Sequence, residues 1–207
     1  MLRHTLATTL AALALACAGS TTQMKSVEAA PPQAGVGRPT KVLVVALTQR
    51  EDVRHSYESD MAGRLRQVGI QAVESASVLP AGTPTKEALH AAVAQTGADA
   101  VIVARLAATR EQTRIETGPP LGYPMDPFYR PYGFYDYYWG AAPYVYQPTY
   151  LSTEKVVELE TRLFRTAGDG QLVWRGTSET FDPANTLDLI QSVNAKVVAR
   201  MRQDGAL

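Results

Sequence analysis

The sequence predicts an α/β domain built on a single mixed β-sheet with packed helices. Three observations carry this. In the first half of the chain, apolar runs of strand length alternate with segments of helical periodicity. In the second half, two apolar-polar alternating runs flank the turn Ala167-Gly168-Asp169-Gly170. A last segment repeats apolar residues at helical steps. Alternating β and α units favour parallel pairing and a hairpin adds antiparallel strands, so the sheet is mixed.

Taken in order, Lys41–Leu47 (KVLVVAL) is a continuous Val-rich run, fit for a strand buried on both faces. Val53, Tyr57, Met61, Leu65 and Val68 then recur at three- and four-residue steps, which is an amphipathic helix. Gly69 is placed to end it in the left-handed conformation. Residues 70–75 (IQAVES) form a second strand. Thr83-Pro84 is an N-cap and first-turn pair for a helix over Pro84–Thr96, with Leu89 and Val93 inward and Gly97 as its stop. Residues 98–116 are a long strand, apolar first and polar from Arg105. Its polar half is expected to leave the sheet as a ribbon. In residues 152–166, Val157, Leu159, Thr161 and Leu163 alternate with Glu158, Glu160 and Arg162, a half-buried strand. Residues 171–180 are its hairpin partner, with Leu172 and Trp174 on one face. Asp182-Pro183 is expected to start a final helix over 184–202, presenting Leu187, Ile190, Val197 and Met201 to the core. The order is β-α-β-α-β-(insert)-β-β-α over residues 41–207, with no internal repeat.

The insert, residues 118–150, breaks every pattern around it. Residues 123–150 hold nine of the chain's ten tyrosines, together with Phe128, Phe134 and Trp139. Seven prolines and four glycines between Gly118 and Tyr150 exclude a regular helix or strand interior. Loops of this length inside a domain are functional or disordered. Three readings stay open: a low-complexity insertion, a contact surface for a protein partner or a second copy, and a surface for a glycan such as peptidoglycan or for lipid headgroups. Tyrosine and tryptophan offer large contact area with few rotatable bonds, which favours the second reading. The candidate contact residues are Tyr129, Tyr132, Phe134, Tyr135, Tyr137, Tyr138 and Trp139.

The N-terminus supplies an address. Arg3 precedes a mostly apolar, uncharged run, Thr5–Ala16, too short to span a bilayer but suited to a signal peptide over residues 1–16. The run ends Leu13-Ala14-Leu15-Ala16-Cys17, and Cys17 is the only cysteine in the chain. This resembles the lipobox of bacterial lipoprotein precursors, with Ala14 where leucine is more usual. The resemblance implies acylation of Cys17. Two or more acyl chains anchor a protein stably. Ala18, rather than Asp, follows the cysteine, and the resemblance then implies an outer-membrane, periplasm-facing location. Residues 17–40 are rich in small, polar, Pro and Gly residues, so the expectation is a lipidated N-terminus followed by a flexible tether.

Composition bounds the chemistry. With 20 basic and 20 acidic residues the net charge is zero, which argues against nucleic acid as a partner. Beyond the signal segment only His55 and His90 remain, and no paired cysteine, zinc, phosphate-loop or nucleophile motif occurs. No enzymatic activity, metal or cofactor is therefore expected. Arg54 and Glu58, four apart, suggest an exposed helical ion pair. Arg105, Arg110 and Arg114 would make either a basic ridge for an anionic glycan or lipid, or cross-strand pairs with Glu154, Glu158 and Glu160. Pairing is the favoured use.

The pieces KVLVVAL, TGADAVIVARL and LVWRGTSET, with the helix ending LRQVGI and the C-terminal helix, together resemble a group of periplasmic lipoprotein domains. The group includes the TolB N-terminal domain, the curli-secretion lipoprotein and lipoprotein activators of penicillin-binding proteins. The resemblance covers residues 40–117 and 151–207, lies in element order, and contains no invariant chemical motif. It implies assembly, scaffolding or activation rather than catalysis. The aromatic insert is outside it.

Overall fold

Val42, Leu43, Val44 and Val45 are all buried because strand β2 (Lys41–Leu47) has a strand on each side and a helix over each face. In the computed structural model, which describes residues 20–30, 37–80, 82, 84–117, 149–168 and 170–207, β2 pairs in parallel with β3 (Gln71–Glu74) and with β4 (Ala100–Thr117). Helix α1 (Glu51–Gln67) links β2 to β3 over one face, and α2 (Lys86–Thr96) links β3 to β4 over the other. Strand β4 then pairs antiparallel with β5 (Thr149–Arg165), and β5 with β6 (Gln171–Phe181). Helix α3 (Thr186–Gln203) packs beside α1. The sheet has six strands in the order β1-β6-β5-β4-β2-β3, where β1 is Thr21–Ala29. The expected mixed sheet is present, with one strand more than expected.

Two cores follow from strand alternation. Val42, Val44, Ile102, Val157, Leu159, Leu163 and Trp174 face α1 and α3, where Met61, Leu65, Ile190, Val193, Val197 and Met201 meet them. Leu43, Val45 and Val101 face α2. Full burial of one such side chain stabilises the fold by about 1.5–3 kcal/mol. Asn194 on α3 donates to the Tyr57 carbonyl and to Asp60 on α1, which ties the two helices together. The Trp174 indole N–H donates to Asp204 at 2.8 Å. Its ring lies over Gly176, where a Cβ would sit 2.3 Å from the indole and 2.8 Å from Met24 Cε, so only glycine fits.

Several expectations are corrected. Residues 17–40 are not a tether throughout, because Thr21–Ala29 form β1, an edge strand antiparallel to β6. Thr22 and Met24 face the core, then Val27 does, because the register shifts between Met24 and Ser26. That bulge flips the parity and erases the period-two signal. Helix α2 starts later than expected, with Thr85 rather than Thr83 as its N-cap, its hydroxyl accepting from the Ala88 amide. Helix α3 is capped by Asn185, which accepts from the Asp188 amide. Asp182 instead closes the sheet end: its carboxylate and its amide both bond to Lys155 backbone groups.

Candidate functional site

Strand β4 is hydrogen-bonded to β5 from Ala100 opposite Arg165 out to Thr117 opposite Thr149. Its other neighbour, β2, stops at Leu47 opposite Arg105. Strand β6 stops at Phe181 opposite Val156, which faces Arg110. From Glu111 to Thr117 the two strands therefore continue alone. At about 3.3 Å per residue this arm is roughly 23 Å long. The chain from residue 118 to 148 joins the strands at its outer end. The expected ribbon is present, and it presents the ends of the aromatic insert away from the core.

On the arm, Ile115 lies opposite Leu151, and these side chains are 70% and 75% exposed. Both continue the sheet face that α1 and α3 cover further back, as register parity from Leu159 and Val157 shows. Nearer the body, Leu106 on the same face is 58% exposed. It borders an apolar cavity of about 270 Å³ between the end of β2 and the first turns of α1 and α3, with Leu47, Val53, Leu159 and Leu189 in its walls. In open α/β sheets such crevices at strand carboxyl ends are where ligands bind. A second cavity, about 530 Å³, opens on the other side of the β2 terminus and contains Arg54 and Ser75.

Arg54 and Glu58 are not the exposed pair expected. Glu58 is fully buried and Arg54 nearly so. Strand β3 ends opposite Val44, leaving the next β2 amide on that side, Ala46, without a strand partner. Glu58 takes it at 3.0 Å and also accepts from the Ser75 hydroxyl and the Ala76 amide. Arg54 neutralises Glu58 and donates onward to Ser75 and to the Pro80 carbonyl. Every polar atom of this carboxylate has a partner, which is how a buried charge is tolerated. The group holds the β2 terminus in shape. Its signal in the sequence is the same as that of any surface i,i+4 pair.

The sheet face opposite α1 and α3 is covered by α2 only over β2 and the start of β4. Its uncovered part carries ion pairs. Arg105 and Arg162 meet Glu160, Lys25 and Arg110 each meet Glu158 and Glu179, and Arg114 meets Glu154. The favoured cross-strand use of the three β4 arginines is thus observed. The Arg110 side chain, with Lys25, holds the Glu179 carboxyl below the usual glutamate range. Burial alone would raise Glu160, but its bonds from Arg162 and Arg105 outweigh that and lower it.

Of the sequence-predicted site residues, Cys17, Tyr129, Tyr132, Phe134, Tyr135, Tyr137, Tyr138 and Trp139 lie outside the described residues. His55 and His90 are exposed on α1 and α2, on opposite faces of the sheet, and do not come together. Among the described residues no group of three or more His, Cys, Asp or Glu is placed to hold a metal, and no helix is long and apolar enough to cross a membrane. Sequence reasoning missed the convergence of Leu47, Leu106, Ile115 and Leu151 at one end of the sheet. Their separation along the chain conceals it, and only strand register shows it.

No protein-family model and no curated protein sequence matches the chain. Solved structures similar to it include the PelC dodecamer from Paraburkholderia phytofirmans, at 20% identity over 86% of this chain and 95% of that one, with a TM-score of 0.41. Another is the lipoprotein GNA1162 from Neisseria meningitidis, at 15% identity over 80% of this chain and 99% of that one, with a TM-score of 0.43. A PDZ domain protein from Parabacteroides distasonis shares 11% identity over 89% of this chain and 36% of that one, with a TM-score of 0.35. Likeness at this level assigns no partner, assembly state or activity to the chain.

Proposed function

We propose that the chain is an outer-membrane lipoprotein, anchored through Cys17, whose periplasmic domain acts by binding rather than by catalysis. It serves envelope assembly or a partner protein as an accessory factor, and makes contact through the outer end of the β4–β5 arm and the tyrosine-rich insert. The observation that carries this reading is the arm itself. A two-stranded ribbon is marginal in water on its own. Here such a ribbon extends beyond both neighbouring strands, with the exposed pair Ile115 and Leu151 near the end where the insert is attached. Extended edges and large exposed apolar side chains are costs that a binding surface explains. A photoreactive residue replacing Tyr135 tests it in intact cells. A discrete protein adduct is expected. Absence of any protein adduct, with binding of the purified protein to peptidoglycan sacculi, would replace the protein partner with a glycan. A Cys17→Ser chain should leave the membrane fraction or accumulate unprocessed. If it stays membrane-bound and processed, the anchor is elsewhere.

A further inference from the structure

We infer that the end of the domain bearing the β4–β5 arm lies on the bilayer, with Ile115 and Leu151 seated in the headgroup layer of the leaflet that holds the anchor. This rests on the reading of Cys17 as the acylated residue.

The first ground is where the anchor enters. Strand β1 begins at Thr21, opposite Phe181, which lies opposite Val156, which faces Arg110. Four strands thus place the start of β1 at the level where the arm leaves the sheet. Ser20 is pinned there, bonded through its hydroxyl to Asp188 and accepting from the Ser192 hydroxyl at its carbonyl, both on α3. Thr22 is buried and bonded to Thr180 and Ser192. The domain is therefore fastened to its N-terminal segment at this end, and only three residues further back stands Cys17. Fully extended they reach about 11 Å. The arm extends roughly 23 Å beyond the same level. A spacer half as long as the arm cannot hold the arm clear of the lipid while this end faces the membrane.

The second ground is chemical. Among the described residues five large apolar side chains stand exposed: Leu47, Leu106, Ile115, Leu151 and Leu187. Leu47 ends β2, Leu106 lies one residue past the β2 terminus, Leu187 is in the first turn of α3, and the other two are on the arm. All five occupy the anchor end. The far end, where Thr40, Lys41 and Asp99 bond to one another, exposes none. Exposed apolar residues on a protein surface are ordinarily scattered, and their collection at the membrane-proximal end fits lipid contact. The depth is also set. The arm has unpaired strand edges, whose amide and carbonyl groups cannot enter hydrocarbon. The arm therefore stays among headgroups, where the Arg114–Glu154 ion pair on its opposite face keeps its charges in water. Any partner of the insert is then met at the membrane surface.

Site-directed spin labelling tests this on the whole lipidated protein in vesicles of phosphatidylethanolamine and phosphatidylglycerol. Acylation makes the Cys17 sulfur a thioether, so Ile115→Cys supplies the sole free thiol. Gln95→Cys, exposed in the last turn of α2 at the far end, is the control, and Leu151→Cys is a second site. Mass analysis of the mature N-terminus comes first. With Cys17 acylated, the ratio of collisions with lipid-dissolved oxygen to collisions with a water-soluble nickel complex should be clearly higher for labels at 115 and 151 than for the label at 95. If Cys17 is acylated but the label at 115 behaves like that at 95, the proposal is overturned while the lipoprotein reading stands. Shielding at 115 from both reagents would mean a protein contact and also overturns it. An unacylated Cys17 removes the lipoprotein reading and this inference with it.

Discussion

Strand β4 has two halves that obey one alternation and live in different surroundings. Ile102, in the first half, lies between β2 and β5 beneath α1 and α3 and is fully buried. Ile115, thirteen residues on and on the same face once the bulge after Leu106 is counted, is 70% exposed. Residue type and sheet face are equal. What differs is the number of neighbours, since β2 and β6 end before the arm begins. The lesson is that apolar alternation specifies which face a side chain takes, while neighbouring elements decide whether that face is core or contact surface.

The largest effect on stability is expected from Glu58→Ala, at the buried terminus of β2. It leaves Arg54 only the more exposed Glu51 carboxylate, at 3.5 Å, and leaves the Ala46 amide unpaired, at a cost of about 3–5 kcal/mol read from denaturant midpoints. A loss under about 1 kcal/mol would mean that water replaces the carboxylate and that the β2 terminus is open to solvent. Ile102→Ala should cost about 2–5 kcal/mol as a core truncation. Gly176→Ala should cost about 1–3 kcal/mol by pushing the Trp174 ring, and the Trp174 near-ultraviolet signal should change with it. An unaltered signal and midpoint would show that the ring does not close over Gly176 as tightly as the 2.3 Å approach requires.

The ion pairs on the uncovered sheet face give a pH effect. The carboxyls of Glu160 and Glu179 are held below their ordinary value in the fold. Their contribution is present above the unfolded glutamate range, about 4.3, and is lost as pH falls through the lower folded values. Acidification below that range should therefore loosen β1, which Lys25 helps fasten to Glu179, before the buried core melts. Amide exchange at Gln23 and Ser26 monitors it, and protection there that persists to global unfolding would refute the order. The smallest effect belongs to the arm. Ile115→Ala should change stability by less than about 0.5 kcal/mol, with a measurable change only in membrane contact. A loss comparable to that of Ile102→Ala would make the arm part of the core and erase the contrast.

Much of this was legible in the residues. The alternating apolar and helical segments, the hairpin after Arg165 and the ribbon half of the long strand follow from local periodicity, which a strand or helix needs in order to bury one face. Strand β1 was not legible, because the bulge at Lys25 moves its core positions from even to odd. The Arg54–Glu58 group was not legible either. A charged pair at helical spacing looks the same on the surface and in the interior until the early end of β3 is known.

Local sequence patterns specify every element but β1, the mixed character of the sheet and the place of the aromatic insert between two strands, since these depend on short-range patterns of size, polarity and turn chemistry. That the start of β1, the ends of β2 and β4 and the first turn of α3 share one end of the molecule follows from no such pattern. That grouping depends on strand order and register, and so on hydrogen bonds between residues as far apart as Thr21 and Phe181, whose partners no local pattern names.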